Sequence, residues 1–208
     1  MSLSFCVQKV ESTGICFSYE TKHMDGDAVI EAALQANGGG GNTTIPMTRR
    51  PYPALSKKQK IKDSEIVKEL CYLCDVLNEK DRAVQVFFEN RYRTSDPCFW
   101  EMLRTMWIFN GKQETLLTFR QLFQVKRPFK YFLMTIEEET AFKELPDPVI
   151  AYRAPSKVGD VGISWTLNRE FVERYAKAYG RQVVERSFPK SRITAYFNRR
   201  NEQEVIVL

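Results

Sequence analysis

The sequence predicts an α+β fold, in which a mostly helical N-terminal half is followed by a small β-sheet unit. Between residues 56 and about 139, apolar residues recur at three- and four-residue spacing, the period of amphipathic helices. After Pro146 and Pro148 the apolar segments become short and rich in β-branched and aromatic residues, which is typical of strands. Hydrophobic residues make up 43% of the chain, which suffices for a globular core.

Three segments are expected along the chain. Residues 1–55 are weakly patterned, with SLSFCVQKV and GICFSYE as short strands and DGDAVIEAALQA as a short helix. Within this segment, residues 37–42 (NGGGGN) are interpreted as a flexible linker, because consecutive glycines bury too little apolar surface to offset their ordering entropy. Residues 56–145 form the helical region, and residues 146–208 form the C-terminal unit.

Four helices are predicted in the helical region. The first carries the apolar spacing of residues 66–77, and the second contains RAVQVFFENRYR. Asp96 and Pro97 begin the third helix as an N-cap and first-turn pair, and the Asn-Gly pair at 110–111 ends it. The fourth contains ETLLTFRQLFQV and stops before Pro128.

Aromatic residues at helical spacing are prominent in this region and resemble the lining of a ligand box. Such a stripe is more often part of a helical core, and we predict that role here. The residues concerned are Phe87, Phe99, Trp100, Trp107, Phe119 and Phe123.

The C-terminal unit is predicted to contain five strands and one helix. The strands are VIAYR, GISWT, VVERSF, RITAYF and EVIVL, separated by turn residues. The helix runs from about Asn168 to Tyr179, with Asn168 as its N-cap and Gly180 at its end.

The net charge of +5 lies entirely in residues 149–208. Residues 149–208 hold 11 Lys and Arg against 6 Asp and Glu, whereas residues 1–148 hold 20 of each. A basic surface favours a polyanionic ligand such as a dinucleotide, or nucleic acid. An ordinary solvated surface explains the same charge equally well, and no nucleic-acid-binding motif is present.

Cysteine and histidine usage predicts a cytoplasmic protein without a metal site. The five cysteines form no disulfide framework, and Cys71 and Cys74 lie within a helical pattern. The single histidine, His23, leaves a zinc site short of ligands. No apolar run reaches the roughly 18–20 residues of a membrane span, and the first residues do not resemble a signal peptide.

Three polar features of the C-terminal unit belong together. Arg153 ends the strand VIAYR. In the next strand, alternation places the hydroxyls of Ser164 and Thr166 on one face. Glu202 and Glu204 precede the last strand, and their carboxylates share a face if that strand has already begun.

In this order, the three features resemble the Arg-Ser-Glu class of mono-ADP-ribosyltransferases. The matching pieces are YR, SWT followed by the helix NREFVERYAKAYG, and ITAYFNRRNEQEVIV. The resemblance covers roughly residues 149–208, and no motif before Asp147 adds to it. It implies an ADP-ribosyltransferase-like split β-sheet and an enzyme that uses NAD as co-substrate, in the manner of a toxin or effector.

The resemblance also implies a role for each motif residue. Glu204 is expected to be the catalytic carboxylate, which stabilises positive charge on the ribose. Arg153 is expected to bind the NAD phosphates, and Ser164 to orient the carboxylate or bind the ribose. Glu202 is expected to engage an arginine side chain of a protein substrate.

Further residues near these motifs are candidates for contact with NAD. Tyr152, Trp165, Thr166 and Phe171 are the first choices, and Tyr175 and Tyr196 are further possible walls of the pocket.

Two other functions stay open at this point. NAD hydrolysis, with water as the acceptor, would use the same Arg153, Ser164 and Glu204. A catalytically degenerate relative would act as a protein or nucleic-acid interaction module. The branch of the fold that uses a histidine at the first motif is disfavoured, because the matching position is Arg153 and His23 lies far upstream.

Overall fold

The computed structural model describes residues 50–111, 114–156, 160, 162–199 and 202–208. The strands, helix and Gly-rich linker expected before residue 50 lie outside the described residues. The chain divides into two units, with Ala54–Ser95 in the first and Asp96–Leu208, together with residues 50–53, in the second. The helix that begins at Asp96 is therefore grouped with the strands in the second unit.

Within residues 54–95, the described part of the first unit, two α-helices are present. Helix α1 spans Lys57–Cys71 and continues into a π-helical turn at Tyr72–Val76, and helix α2 spans Lys80–Asn90. The Ser56 hydroxyl caps α1 by accepting a hydrogen bond from the Gln59 backbone N–H at 3.2 Å. Apolar side chains of both helices are buried, which confirms the predicted helical spacing: Ile66, Val67, Leu70, Ala83, Val84 and Phe87.

The second unit begins with three helices, α3 (Asp96–Asn110), α4 (Leu116–Phe123) and α5 (Ile136–Glu144). Helix α3 is buried on most of its surface, and all six aromatic residues predicted as core are buried. Among the described residues, no helix is long and apolar enough to cross a membrane.

The five predicted strands are all observed and pair into one antiparallel sheet, so the fold is α+β. The sheet order is β3-β1-β2-β5-β4. The strands are β1 (Val149–Arg153), β2 (Ser164–Thr166), β3 (Val184–Phe188), β4 (Ile193–Phe197) and β5 (Glu204–Val207).

Helix α6 (Arg169–Tyr179) follows β2, as predicted. The Asn168 side chain caps it by accepting a hydrogen bond from the Phe171 N–H at 3.0 Å. Gly180 ends it with a φ of 61°, a left-handed conformation that favours glycine. The helix end and start predicted from sequence are therefore both confirmed.

Strand register brings the polar motifs of β2 and β5 together. Thr166 lies opposite Glu204, and Ser164 lies opposite Ile206. Because residues two apart on a strand share a face, Ser164 and Glu204 are diagonal neighbours on one face of the sheet. The order of the strands thus places a hydroxyl beside a carboxylate 40 residues away in the chain.

Candidate active site

A cavity of about 190 Å³ lies within the second unit. Four of its lining residues are the predicted Arg153, Ser164, Glu202 and Glu204, which the structure brings together from β1, β2 and the segment that leads into β5. The other lining residues are Trp107, Ile108, Gly111, Leu116, Gly162, Ile163 and Arg199.

The Glu204 carboxylate is held through one of its two oxygens. Its Oε1 accepts hydrogen bonds from the Ser164 hydroxyl at 2.5 Å and from the Trp107 indole N–H at 3.2 Å. Within the described ranges, no hydrogen bond ends on Oε2. One oxygen is therefore fixed by the protein, and the other is available to a ligand in the cavity.

The environment of Glu204 disfavours its ionised form. Although the residue is partly exposed as a whole, burial of the carboxyl raises its pKa above the ordinary value. Hydrogen bonds from Ser164 and Trp107 act in the opposite direction, and the charge of Glu202 raises the pKa further. The negative charge is consequently poorly solvated, which strengthens its interaction with any positive charge that develops nearby.

Arg153 is held at the end of β1 by an ion pair. Its Nη2 lies 2.8 Å from Oδ1 of Asp160, which also accepts a hydrogen bond from the Gly162 N–H at 3.1 Å. Burial opposes ionisation of Asp160, but the hydrogen bonds and charge of Arg153 and the Ser156 hydrogen bond keep its pKa below the usual range. The guanidinium therefore reaches the cavity with a defined orientation.

Gly162 makes room for this guanidinium. A Cβ atom at position 162 would lie 2.0 Å from the guanidinium carbon of Arg153, which is far inside van der Waals contact. Any larger residue would displace the end of the Arg153 side chain, so the glycine and the arginine form one arrangement.

Glu202 reaches the cavity through a turn and not through strand alternation. Strand β5 begins at Glu204, and Gln203 between the two acids has a φ of 48°. The Thr166 hydroxyl donates to the Glu202 carbonyl oxygen, and the Leu167 N–H donates to the Gln203 carbonyl oxygen at 3.0 Å. Bonds from the end of β2 thus fix the backbone that carries both carboxylates.

The remaining predicted NAD contacts are not among the lining residues of the cavity. Trp165 is buried against Phe188, with ring centroids 4.9 Å apart. Tyr152 packs against a small buried cluster of Ala154, Val172 and Ala176. The hydroxyl of Thr166 donates its hydrogen bond to the backbone carbonyl oxygen of Glu202. Phe171, Tyr175 and Tyr196 are also not among the residues that line the cavity.

Two lining residues, Trp107 and Arg199, were not singled out as functional from the sequence. The Arg199 Nη1 donates to the Ile108 carbonyl oxygen at 2.9 Å. The positive charge of Arg199 acts to lower the pKa of Glu204, against the larger effect of burial. Although no motif before Asp147 adds to the resemblance, Trp107 near the end of α3 lines the cavity and bonds directly to Glu204. In sequence, Trp107 has the same spacing as its neighbouring core aromatics, so no local signal distinguishes it.

Within the described ranges, no group of three or more His, Cys, Asp or Glu side chains is arranged to hold a metal ion. Comparisons with protein-family models, curated proteins and solved structures gave no match.

Proposed function

We propose that this protein is an NAD-dependent mono-ADP-ribosyltransferase, which transfers ADP-ribose to a protein side chain, an arginine, and releases nicotinamide. The observation that carries the proposal is the hydrogen bond from Ser164 to Glu204 in a cavity that also holds Arg153 and Glu202. These four residues are the ones that the resemblance to the Arg-Ser-Glu class assigns to the reaction.

Glu204 would stabilise the charge that develops on the substrate. When the bond between the nicotinamide nitrogen and the ribose anomeric carbon breaks, nicotinamide leaves with the electron pair and the ribose becomes cationic. The Glu204 Oε2 accepts no hydrogen bond from the described residues, so it can face the ribose. A buried carboxylate stabilises such a charge more strongly than a solvated one would.

Arg153 would bind the phosphates of NAD. Its guanidinium is planar and permanently charged, which suits paired hydrogen bonds to phosphate oxygens. The cavity, at about 190 Å³, is smaller than the roughly 300–1,000 Å³ typical of ligand pockets. Nicotinamide and its ribose would therefore occupy the cavity, the phosphates would lie at its edge beside the Arg153 guanidinium, and the adenosine would lie outside it.

Glu202 would bind the acceptor arginine and take a proton from it. Its carboxylate lines the same cavity, in reach of a guanidinium that approaches the anomeric carbon. As the arginine nitrogen forms its bond to that carbon, the nitrogen loses a proton, which the Glu202 carboxylate can accept. One carbon–nitrogen bond forms for the one that breaks, and no other reactant is required.

Incubation with NAD tests the proposal. The wild-type protein should release nicotinamide and should label protein in a cell lysate, or a small guanidine such as agmatine, with ADP-ribose. Glu204→Gln should lower the rate by about 10²–10³-fold, the range for loss of one preorganised electrostatic group. The matched variant Glu185→Gln, at an exposed position on β3, should retain the wild-type rate.

The same experiment identifies the acceptor. Glu202→Ala should abolish labelling of guanidines if Glu202 serves the acceptor. Nicotinamide release without labelling of any acceptor, in the wild-type protein, would assign the site to NAD hydrolysis. Absence of both nicotinamide release and a heat of NAD binding would refute the proposal.

A further inference from the structure

We propose that Trp107 is a positioning residue for Glu204: its indole N–H fixes Oε1 so that Oε2 is presented to the substrate. This role rests on the proposed function, since it concerns the carboxylate assigned to the reaction. It also makes helix α3 part of the active site, although the motifs that suggested the function all lie after residue 148.

The indole of Trp107 is held firmly enough to position another group. The residue is only 6% exposed. Its ring makes edge contacts with Phe119 and Phe123, with centroids 5.0 and 5.5 Å apart. A Cβ at Gly111 would lie 3.3 Å from two indole atoms, so the helix end also closes against the ring. Packing on several sides restricts the rotamer of Trp107.

Two donors are needed to fix the carboxylate. A carboxyl group with one hydrogen bond can still rotate about its terminal bond, whose torsional preference is broad. Ser164 donates to Oε1 from strand β2, and Trp107 donates to the same oxygen from helix α3. Because the donors belong to different elements, together they restrict the direction in which Oε2 points.

The hydrogen bond to Glu204 also gives the buried indole N–H of Trp107 an acceptor, without which its desolvation would destabilise the fold. A buried indole N–H needs an acceptor, and among the described residues Glu204 provides it. Trp100 offers a matched comparison on the same helix, because its buried indole N–H donates to the Pro128 carbonyl oxygen at 2.8 Å. Two similar indoles on α3 thus have different acceptors, one a backbone carbonyl and one the proposed catalytic carboxylate.

The test uses Trp107→Phe with Trp100→Phe as its control, since each variant removes one indole N–H and keeps an aromatic ring. The titration of Glu204 is followed by NMR of ¹³C-labelled glutamate carboxyls and assigned with Glu204→Gln. Loss of a donor to the carboxylate should move the Glu204 midpoint to higher pH in Trp107→Phe only. An unchanged midpoint in a folded Trp107→Phe variant would overturn the proposal.

A second measurement needs no tryptophan variant to fold. In the wild-type protein, the indole ¹H–¹⁵N resonance of Trp107 should titrate with the Glu204 midpoint, while that of Trp100 should not. The Trp107 titration should disappear in Glu204→Gln. If the Trp107 resonance is indifferent to both pH and this substitution, the two groups are not bonded and the proposal fails.

Kinetics separate this proposal from the proposed function. With NAD cleavage established, Trp107→Phe should lower kcat by about ten-fold, the size expected for one hydrogen bond to a charged group, with little change in KM. If the titrations couple but no NAD is cleaved, the positioning of Glu204 stands and the assigned reaction fails. If NAD is cleaved and kcat is unchanged in Trp107→Phe, the reaction stands and the positioning role fails.

Discussion

Two glutamates in the second unit, the buried Glu138 and the partly buried Glu204, differ in how many of their carboxylate oxygens the protein uses. Glu138 accepts hydrogen bonds on both oxygens: from Arg104 at 2.8 and 3.1 Å, from the Thr135 N–H at 2.9 Å and from the Asn198 N–H at 3.0 Å. Glu204 is bonded through Oε1 alone among the described residues. Both oxygens of the Glu138 carboxylate are therefore hydrogen-bonded within the protein, whereas Oε2 of Glu204 can accept a hydrogen bond from a ligand.

Both carboxylates are contacted from helix α3, by side chains one turn apart. Arg104 brings a full positive charge to Glu138, whereas Trp107 brings a neutral N–H to Glu204. A guanidinium neutralises a buried carboxylate, and an indole leaves its charge largely uncompensated. Under the proposed function, the free oxygen of Glu204, more than its burial, separates it from Glu138, whose carboxylate is fully engaged by the fold.

The largest effect is expected from removing the ion pair between Arg104 and the Glu138 carboxylate. Arg104→Met should lower the free energy of unfolding by about 3–5 kcal/mol, because it leaves Glu138 buried without its countercharge. Urea denaturation measures this loss. The control is Arg82→Met, which removes an exposed i,i+3 ion pair with Glu79 and should cost less than about 1 kcal/mol. Similar losses in the two variants would contradict the structural role of Glu138.

An intermediate effect is expected at Arg153, whose guanidinium lines the same cavity as Glu204. Gly162→Ala should displace the end of Arg153 and raise KM for NAD about ten-fold, equivalent to part of one charged hydrogen bond. Steady-state nicotinamide release measures this change. Gly180→Ala, at a left-handed glycine that ends α6, should lower Tm and leave KM unchanged. An unaltered KM in Gly162→Ala would mean that Arg153 does not bind the substrate in its observed orientation.

The smallest effect is expected in the pH dependence of stability, to which the Glu204 carboxyl contributes. Burial raises the pKa of folded Glu204 above the unfolded value of about 4.3. The folded state therefore holds the proton to higher pH, and stability falls as pH rises between the two values. Because glutamine does not ionise, Glu204→Gln should remove this pH-dependent loss of stability.

Calorimetry across pH checks this expectation. The Tm of Glu204→Gln should exceed that of the wild type near pH 8, by about 2–4 °C for each kcal/mol relieved in a domain of this size. The difference should shrink towards about pH 3.5, where the wild-type carboxyl is protonated in both states. A difference that does not vary with pH would sink the assignment of a raised pKa. Glu185→Gln, at an exposed position, should show no such trend.

Sequence patterns predicted most elements whose determining contacts are local, although helix α5 was missed despite its local capping box of Thr135 and Glu138. All five strands and the caps of α6 were predicted, because alternation, Asn168 and Gly180 act within a few residues of the chain. The gathering of Arg153, Ser164 and the acidic pair was anticipated only through the resemblance of their order to a family.

The contacts of Trp107 and Arg199, which join residues distant in sequence, could not be predicted from the sequence. The bond between Trp107 and Glu204 joins residues 97 positions apart, and nothing in the spacing of Trp107 separates it from the core aromatics. Arg199 is likewise one basic residue in a polar run, and only its bond to the Ile108 carbonyl oxygen reveals its place. The grouping of α3 with the strands depends on tertiary packing, which helical periodicity does not encode.

The indole beside Glu204 also gives the protein an intrinsic optical signal. Tryptophan fluorescence responds to charges next to the ring, so a proton on Glu204 or a ligand in the cavity would alter the emission of Trp107. The chain has three tryptophans, and replacing Trp100 and Trp165 with phenylalanine would leave Trp107 as the single emitter. Occupancy of the cavity would then be visible in an unlabelled protein.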